Sequence, residues 1–437
     1  MTASAEHLAR LIDENLGDLK DADPKWRVDN SPNPGHGRGI IANRDIEPGE
    51  LIFRERALII GPTARKGTAL NTCVICYKLL DSENIPVCPK GCALPTCPAC
   101  SDAEEHKIEC SLFQRWQPID VTRVNPSTLR ILTAVRSFFL SKDHRDLLYS
   151  MQANPDRYYR LEIERAAEGF KNFPKDKKVI DYIYRTVCVL NTNAFEARSV
   201  VVHGHEILQR GLFALAGIMN HECTPNACHY FENGNLITVK AAKFIPKDSE
   251  ITTTYTKIMW SNLSRRVFLK MTKHFYCDCS RCKDPSENET YLAALYCREP
   301  NCKGWTIPVH TTGMQPDWKC IKCGVVSSHA KMGKYQDFTL NAIHNKINSC
   351  SVHDMIHFID NICPRFCPPS NYVLIEAKLN VIWRIQRIND EYSEDDYLAR
   401  DKYCKDVIEI LDKLEAGDCT LRKLIKNEIN FKHQSTK

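Results

Sequence analysis

Twenty-two cysteines in a chain of 437 residues constrain this fold more than any other feature, because most of them fall in chelating pairs. Seven lie between Cys73 and Cys110, Cys223 stands alone near the middle, and a second dense set runs from Cys277 to Cys323. The first twenty residues carry Glu6, Arg10, Asp13, Glu14 and Asp18, which does not match the apolar stretch of an export signal. That reading puts the thiols in a reducing setting, nuclear or cytoplasmic, where disulfides do not persist. Metal binding is then the expected use of thiols grouped this way.

The first cluster consists of Cys73-x2-Cys76, Cys88-x3-Cys92, Cys97-x2-Cys100 and His106-x3-Cys110. Tetrahedral zinc takes four Cys or His ligands, and pairs two to four residues apart turn both side chains toward one ion. Eight ligands therefore predict two zinc ions. The segment holds few large apolar residues, so each ion must stabilise it, by on the order of 10 kcal/mol. Cys277, Cys279 and Cys282 form a triplet one ligand short of a closed site, while Cys297-x4-Cys302 and Cys320-x2-Cys323 bracket the β-prone run Trp305-Thr306-Ile307 in a zinc-ribbon pattern. Cys188, Cys228, Cys350, Cys363, Cys367, Cys404 and Cys419 read as core residues. A fifth site from His353, His357, Cys363 and Cys367 can be drawn, but an amphipathic helix accounts for that spacing. No His-Glu-x-x-His run supports a zinc protease.

Hydrophobic residues make up 43% and charged residues 26%, the balance of a globular chain with room for several structural units. A net charge of +5 is too mild for a dedicated nucleic-acid binder. The longest strongly apolar stretch, Gly211 to Met219, is far short of a membrane span. Leu8, Leu11, Ile12 and Leu16 predict a helix in the first 24 residues, read as a peripheral arm. From Trp26 the texture turns to short β runs, Gly39 to Ala42, Glu50 to Phe53 and Leu58 to Ile60. The cysteine cluster and a mostly helical stretch from Pro126 to Val189 follow as insertions. Strands return from Val200 to Tyr255, including Leu236 to Val239 after the Asn233-Gly234 turn. Beyond Gly333 the pattern is helical: Ala377, Val381, Ile385 and Ile388 share one face, as do Val407, Leu411 and Leu414, which predicts antiparallel helix pairs of tetratricopeptide type.

Three further segments carry chemistry: Gly35-His36-Gly37-Arg38-Gly39-Ile40, Asn220-His221-Glu222-Cys223-Thr224-Pro225-Asn226, and Glu250-Ile251-Thr252-Thr253-Thr254-Tyr255. In this order, with a Cys-rich tail behind them, they resemble the SET domain of protein lysine methyltransferases. The inserted eight-ligand cluster resembles a MYND finger, and the split arrangement resembles the SMYD family, its arthropod branch most. The resemblance implies an α+β fold: an N-terminal helical arm (1–25), a first SET part (26–72), a MYND finger (73–110), a helical insert (111–190), the SET core (191–256), a post-SET segment and zinc ribbon (257–330), and a helical C-terminal domain (331–437).

The resemblance also implies roles. His36, Arg38, Asn193, Asn220 and His221 would contact S-adenosylmethionine, Phe275 would stack on its adenine, and Tyr255 would be the active-site tyrosine beside the cofactor. Cys223 would close a third zinc site with Cys277, Cys279 and Cys282, giving four structural zinc ions. Asp248-Ser249-Glu250 replaces the family's Gly-Glu-Glu, a change read as tolerable in a type I turn. Lys273 stands where the family's enzymes line the lysine channel with an aromatic ring; a cation there opposes a cationic substrate unless its side chain turns away. The implied function is lysine methylation of histones or other proteins by a monomer that binds neither membrane nor, strongly, nucleic acid. The alternative is a scaffold or corepressor whose finger binds proline-containing peptides and histone deacetylase or corepressor complexes, with weak or absent methyl transfer.

Overall fold

The computed structural model describes residues 4–63, 71–81, 83–201, 205–232, 234–385 and 392–430; Asn233 and Ile388 lie outside them. Nine strands build the central β structure: β1 Trp26–Asn30, β2 Arg38–Ala42, β3 Leu51–Arg56, β4 Ile59–Pro62, β5 Phe195–Val201, β6 His205–Leu212, β7 Ala227–Glu232, β8 Leu236–Ala241 and β9 Glu250–Ile251. They form three small sheets, ordered β1-β2-β9, β3-β8-β7 and β4-β6-β5. Every sheet pairs a strand from before residue 63 with one from after residue 194, for example Ile40 with Ile251 and Phe53 with Val239. The finger and the helices between are therefore excursions from one β fold, as the cysteine cluster and helical texture predict.

β2 places Ile40, Ile41 and Ala42 in the core because it is covered on both sides, by β1 and β9. The helix Ala5–Leu16, started by the Ser4 hydroxyl accepting from the His7 amide, joins the same core through Leu8, Leu11, Ile12 and Leu16. It is thus not a peripheral arm: four buried side chains of this size contribute about 2 kcal/mol each, and the polar face that made the segment look detachable is only its outer side. The insert comprises helices Pro126–Val135, Lys142–Ser150, Arg157–Ala167 and Lys177–Asn193. The finger's last helix, Glu104–Trp116, runs past the expected boundary at 110 and buries Phe113 and Trp116 against Phe170.

After β9 the chain forms helix Asn262–Lys273 and a small ribbon, Leu295–Tyr296, Trp305–Pro308, Trp318–Cys320 and Val326–Ser327, paired in that order. A second core holds the C-terminal helices His329–Ser349, Tyr372–Ile385, Glu394–Lys413 and Thr420–Asn430, with Ala377, Val381, Ile385, Val407, Leu411 and Leu414 buried. This array returns to the β fold. The Asp418 amide donates to the Ala242 carbonyl at 2.6 Å and the Thr420 hydroxyl to the His229 carbonyl at 3.0 Å. Gly417 approaches Ala242 so closely, at positive φ, that a Cβ would strike the Ala242 carbonyl. Cys363 and Cys367 belong to this second core while His353 points outward beside Asp396, so the amphipathic-helix reading of that spacing describes the arrangement.

Candidate active site and metal centres

Four groups of cysteine and histidine converge among the described residues: Cys73, Cys76, Cys97 and Cys100; Cys88, Cys92, His106 and Cys110; Cys223, Cys277, Cys279 and Cys282; and Cys297, Cys302, Cys320 and Cys323. A zinc–sulfur bond of about 2.3 Å in a tetrahedron implies sulfur–sulfur edges of about 3.8 Å. The edges include Cys76–Cys97 and Cys88–Cys110 at 3.8 Å, Cys223–Cys277 at 3.8 Å, and Cys297–Cys323 and Cys302–Cys320 at 3.7 Å. All sixteen predicted ligands fall in these groups, and the donor sets fit four closed zinc sites. In the finger the pairs interleave, first with third and second with fourth, an assignment that spacing alone leaves open.

Second partners hold these ligands in place. His106 points Nε2 at Cys92 (3.6 Å), and its Nδ1 faces the buried Glu109 carboxylate at 3.2 Å. Arg136, from the insert, donates to both Glu109 oxygens and to the carbonyls of Ile60 and Val74, so one guanidinium ties finger to β4. At the tail site Arg265 donates through Nε to Cys223 Sγ (3.2 Å) and forms a 2.5 Å ion pair with Glu287, while Arg281 donates to the Cys223 carbonyl and pairs with the same carboxylate. Both guanidiniums are buried, and their positive charge suits a cluster of four thiolates. Nothing in the spacing of Arg265, Arg281 and Glu287 marked them as partners.

The tail site pins the 220 segment against β9 and its continuation. The Asn220 carbonyl accepts from the Thr253 amide, the Glu222 amide donates to the Thr253 carbonyl, and His221 bridges Thr253 in parallel. The His221 ring accepts from the Tyr255 amide at Nδ1 (3.0 Å), which leaves the Nε2 hydrogen for Cys223 Sγ at 3.3 Å. Both ring nitrogens are spent inside the fold, so a ligand would meet the His221 main chain or ring face.

Glu250 is the hub on the other side. One oxygen accepts from Asn220 Nδ2 (2.7 Å); the other accepts from Ser31 (2.7 Å), Asn33 (2.5 Å) and His36 Nδ1 (2.9 Å). Burial works against its charge, but the bonds from His36, Ser31, Asn220 and Asn33 outweigh that and hold the carboxyl below its ordinary range. The hydrogen bond to Glu250, against some desolvation, holds His36 above its ordinary value. A Cβ on Gly39 would run into Glu250 and Asn220, so glycine is required where β2 passes this hub. Ser31, Asn33 and Glu250 were not expected as site residues; Glu250 opening the third motif was the only signal. The preceding turn differs from the expected type I: Asp248 lies at φ +62°, a left-handed position that aspartate tolerates and that Arg27 secures at 3.0 Å.

The remaining expected site residues adjoin these. Asn220 Nδ2 also reaches the Arg38 carbonyl (3.0 Å), and the Arg38 guanidinium donates to the Ser150 carbonyl (2.9 Å). Asn193 gives its amide hydrogens to the Gln152 and Val189 carbonyls, which leaves its side-chain oxygen to face a donor. The rings of His221, Tyr255 and Phe275 cluster with centroids 5.3 to 6.4 Å apart. The Tyr255 hydroxyl donates to the Met219 carbonyl at 2.6 Å, and burial pushes its pKa up, so it stays a neutral phenol. Lys273 does not turn away: its ammonium lies 5.1 Å from the Tyr255 ring centroid and donates to the Thr192 carbonyl at 2.6 Å.

A SET-domain family model, described as "SET domain", matches residues 37–256, and the chain belongs to that family. Within it the chain falls in the SMYD branch: it is 55% identical to isoform B and 59% identical to isoform A of SET domain-containing protein SmydA-8 of Drosophila melanogaster, over 98% and 97% of this chain and 96% and 92% of those proteins. It is also similar to the histone-lysine N-methyltransferase SMYD3 of Homo sapiens, 26% identical over 61% of this chain and 64% of that protein.

Proposed function

We propose that this chain is a protein-lysine N-methyltransferase that uses S-adenosylmethionine and carries four structural zinc ions. The observation that carries the proposal is the meeting of two clusters: the polar hub of His36, Asn220 and Glu250, and the aromatic group of His221, Tyr255 and Phe275, held together by the Cys223 tail site. Support comes from the relatives named as lysine methyltransferases.

The donor set fits the cofactor's groups. Arg38 would face its carboxylate and the Asn193 side-chain oxygen its ammonium, with His36 and Asn220 alongside. Phe275 and the outward side of His221 would hold the adenine. Bound S-adenosylmethionine supplies a methyl group on a positively charged sulfur. The rest falls to this chain. A lysine amine must arrive neutral, against an ordinary pKa near 10.4, and the desolvating walls of Tyr255 and Phe275 favour that form. The Tyr255 hydroxyl spends its hydrogen on Met219 and keeps lone pairs to accept from the amine, so it orients the nucleophile rather than removing its proton. The closed sets of four ligands assign zinc to architecture.

Histones are one substrate class within the proposal. An interaction role for the finger, toward proline-containing peptides and histone deacetylase or corepressor assemblies, is part of it too; its support is the exposed pair Leu79 and Ile108 on the finger. A nuclear or cytoplasmic setting is supported by cysteines that gather into metal-ligand groups rather than disulfides. The test is calorimetry with S-adenosylmethionine followed by radiolabelled methyl transfer to histones and lysate proteins. Binding with transfer that Tyr255→Phe reduces at least a hundredfold is expected; binding with no Tyr255-dependent transfer would favour the scaffold reading.

A further inference from the structure

Glu55 is an acid sealed in the β core without a counter-ion. On β3 its neighbours Arg54 and Arg56 point outward to Glu232 and Asp18, while its own side chain turns inward and is fully covered. Among the described residues no cation pairs with it; its two oxygens accept instead from the main-chain amides of Leu215 and Ala216, each at 2.9 Å. Taking a carboxylate out of water without a cation is costly, and holding those two amides is what the charge is free to do.

The amides open a tight turn. The Gly217 amide donates to the Phe213 carbonyl (2.7 Å), Ile218 to Leu215 and Met219 to Ala216 (both 3.2 Å), so residues 213–219 are tied into one unit. The turn ends at the Met219 carbonyl, which accepts the Tyr255 hydroxyl, and Asn220 follows directly. Its Gly217 lies so close to Asn193 that a Cβ there would come within 3.4 Å of that side chain. A continuous path of hydrogen bonds therefore runs from Glu55 through Ala216 and Met219 to Tyr255.

We propose that Glu55 is a positioning residue for methyl transfer: its carboxylate holds the 213–219 turn so that the Met219 carbonyl sets the direction of the Tyr255 hydroxyl. The inference rests on the methyltransferase reading for what Tyr255 does, but the linkage between the two residues is visible without turnover. Burial pushes the Glu55 pKa up to about 7, against the pull of the Ala216, Leu215 and Ala214 amides. Above that value both oxygens accept; below it the acid's own hydrogen faces one amide, and that bond is lost. The turn carries no ionisable side chain, and β8 sets Ile237 opposite Glu55, between Leu236 and Thr238. Tyr255 itself faces His221, Lys273, and Glu250 with its partner His36, so a Glu55 variant separates their titration from its own.

The test labels the full zinc-loaded chain with tyrosine carrying carbon-13 at Cζ, whose resonance follows the phenol's hydrogen bonding, and assigns the Tyr255 signal with Tyr255→Phe. Across about pH 5 to 9 that signal shifts in the wild type with a midpoint near 7. In Glu55→Gln, whose amide accepts from only one of the two main-chain donors, it stays at the low-pH position. Radiolabelled transfer to core histones falls about tenfold in kcat for Glu55→Gln above about pH 8, with KM for the histones unchanged, and the two proteins converge below about pH 6. Melting curves check that the variant folds, and the wild-type titration stands without it. A Tyr255 signal that does not move in the wild type, or that moves alike in Glu55→Gln, overturns the inference, as does a variant with wild-type kcat at every pH. No transfer by the wild type, with the Tyr255 titration present and abolished by Glu55→Gln, overturns the methyltransferase reading and leaves this one standing.

Discussion

Replacing Glu250 with glutamine changes one oxygen into an amide, and the structure says what that costs. Three donors, Ser31, Asn33 and His36, converge on one carboxylate oxygen and one donor, Asn220, on the other. A glutamine can satisfy only the side where its carbonyl points, so the least costly placement turns its NH2 toward Asn220 and sets donor against donor. One charge-assisted bond is lost and three become neutral-acceptor bonds, about 3 kcal/mol together, which lowers the melting temperature of a chain this long by about 3–6 °C. The pH dependence shifts too. His36 is raised, so its contribution is present below its ordinary value of 6.5 and fades as pH rises through the higher folded value; Glu250 is lowered, so its contribution is present above 4.5 and fades as pH falls through the lower folded value. The pair stabilises most between these two ordinary values, and Glu250→Gln flattens the profile there. Thermal melts of both proteins across pH 4 to 9 measure this. A variant melting within about 1 °C of wild type at pH 6, with an unchanged profile, would refute the hub.

Metal analysis of the purified chain gives four zinc ions, one of which is lost in Cys76→Ser with the tail sites retained; a count of two would remove the tail assignments. Arg136→Met leaves the buried Glu109 without its guanidinium and destabilises the finger's junction with β4 by about 3–5 kcal/mol. Limited proteolysis within 73–116 reads this as accelerated cleavage, and unchanged cleavage would show that the finger is held by other contacts.

The parts of this fold that were legible in the sequence are those whose physics is local. Chelating pairs such as Cys73 with Cys76 and Cys320 with Cys323 show their chemistry within a few residues, and the β-prone run Leu236 to Val239 after the Asn233-Gly234 turn marks β8 by itself. The pairing of β2 with β9 could not be read from the residues, because it joins Ile40 to Ile251 across the whole finger and insert; texture marked the insertion but not which strands close over it. The interleaving of finger ligands is likewise a matter of chain path. The N-terminal helix was mistaken for an arm because amphipathicity shows an apolar face without saying what it meets, and it meets helix Lys142–Ser150, far along the chain, as well as β1. The Glu250 hub escaped notice since Ser31 and Asn33 carry no signal alone, and His36 and Asn220 were assigned to the cofactor rather than to a carboxylate. Lys273 was visible as an anomaly, but its direction depended on Thr192 and Tyr255 lying beside it.

The central claim is that the 220 segment and the thiol-rich tail make a single pocket for a sulfonium nucleotide. Ultraviolet cross-linking of radiolabelled S-adenosylmethionine, with peptide mapping, tests it most directly. The account predicts label, competed away by S-adenosylhomocysteine, in the peptides carrying Tyr255 and Phe275. Label confined to the cavity of about 330 Å³ lined by Arg160, Phe170, Phe173 and Ile180 in the insert, or no competed label at all, would contradict it.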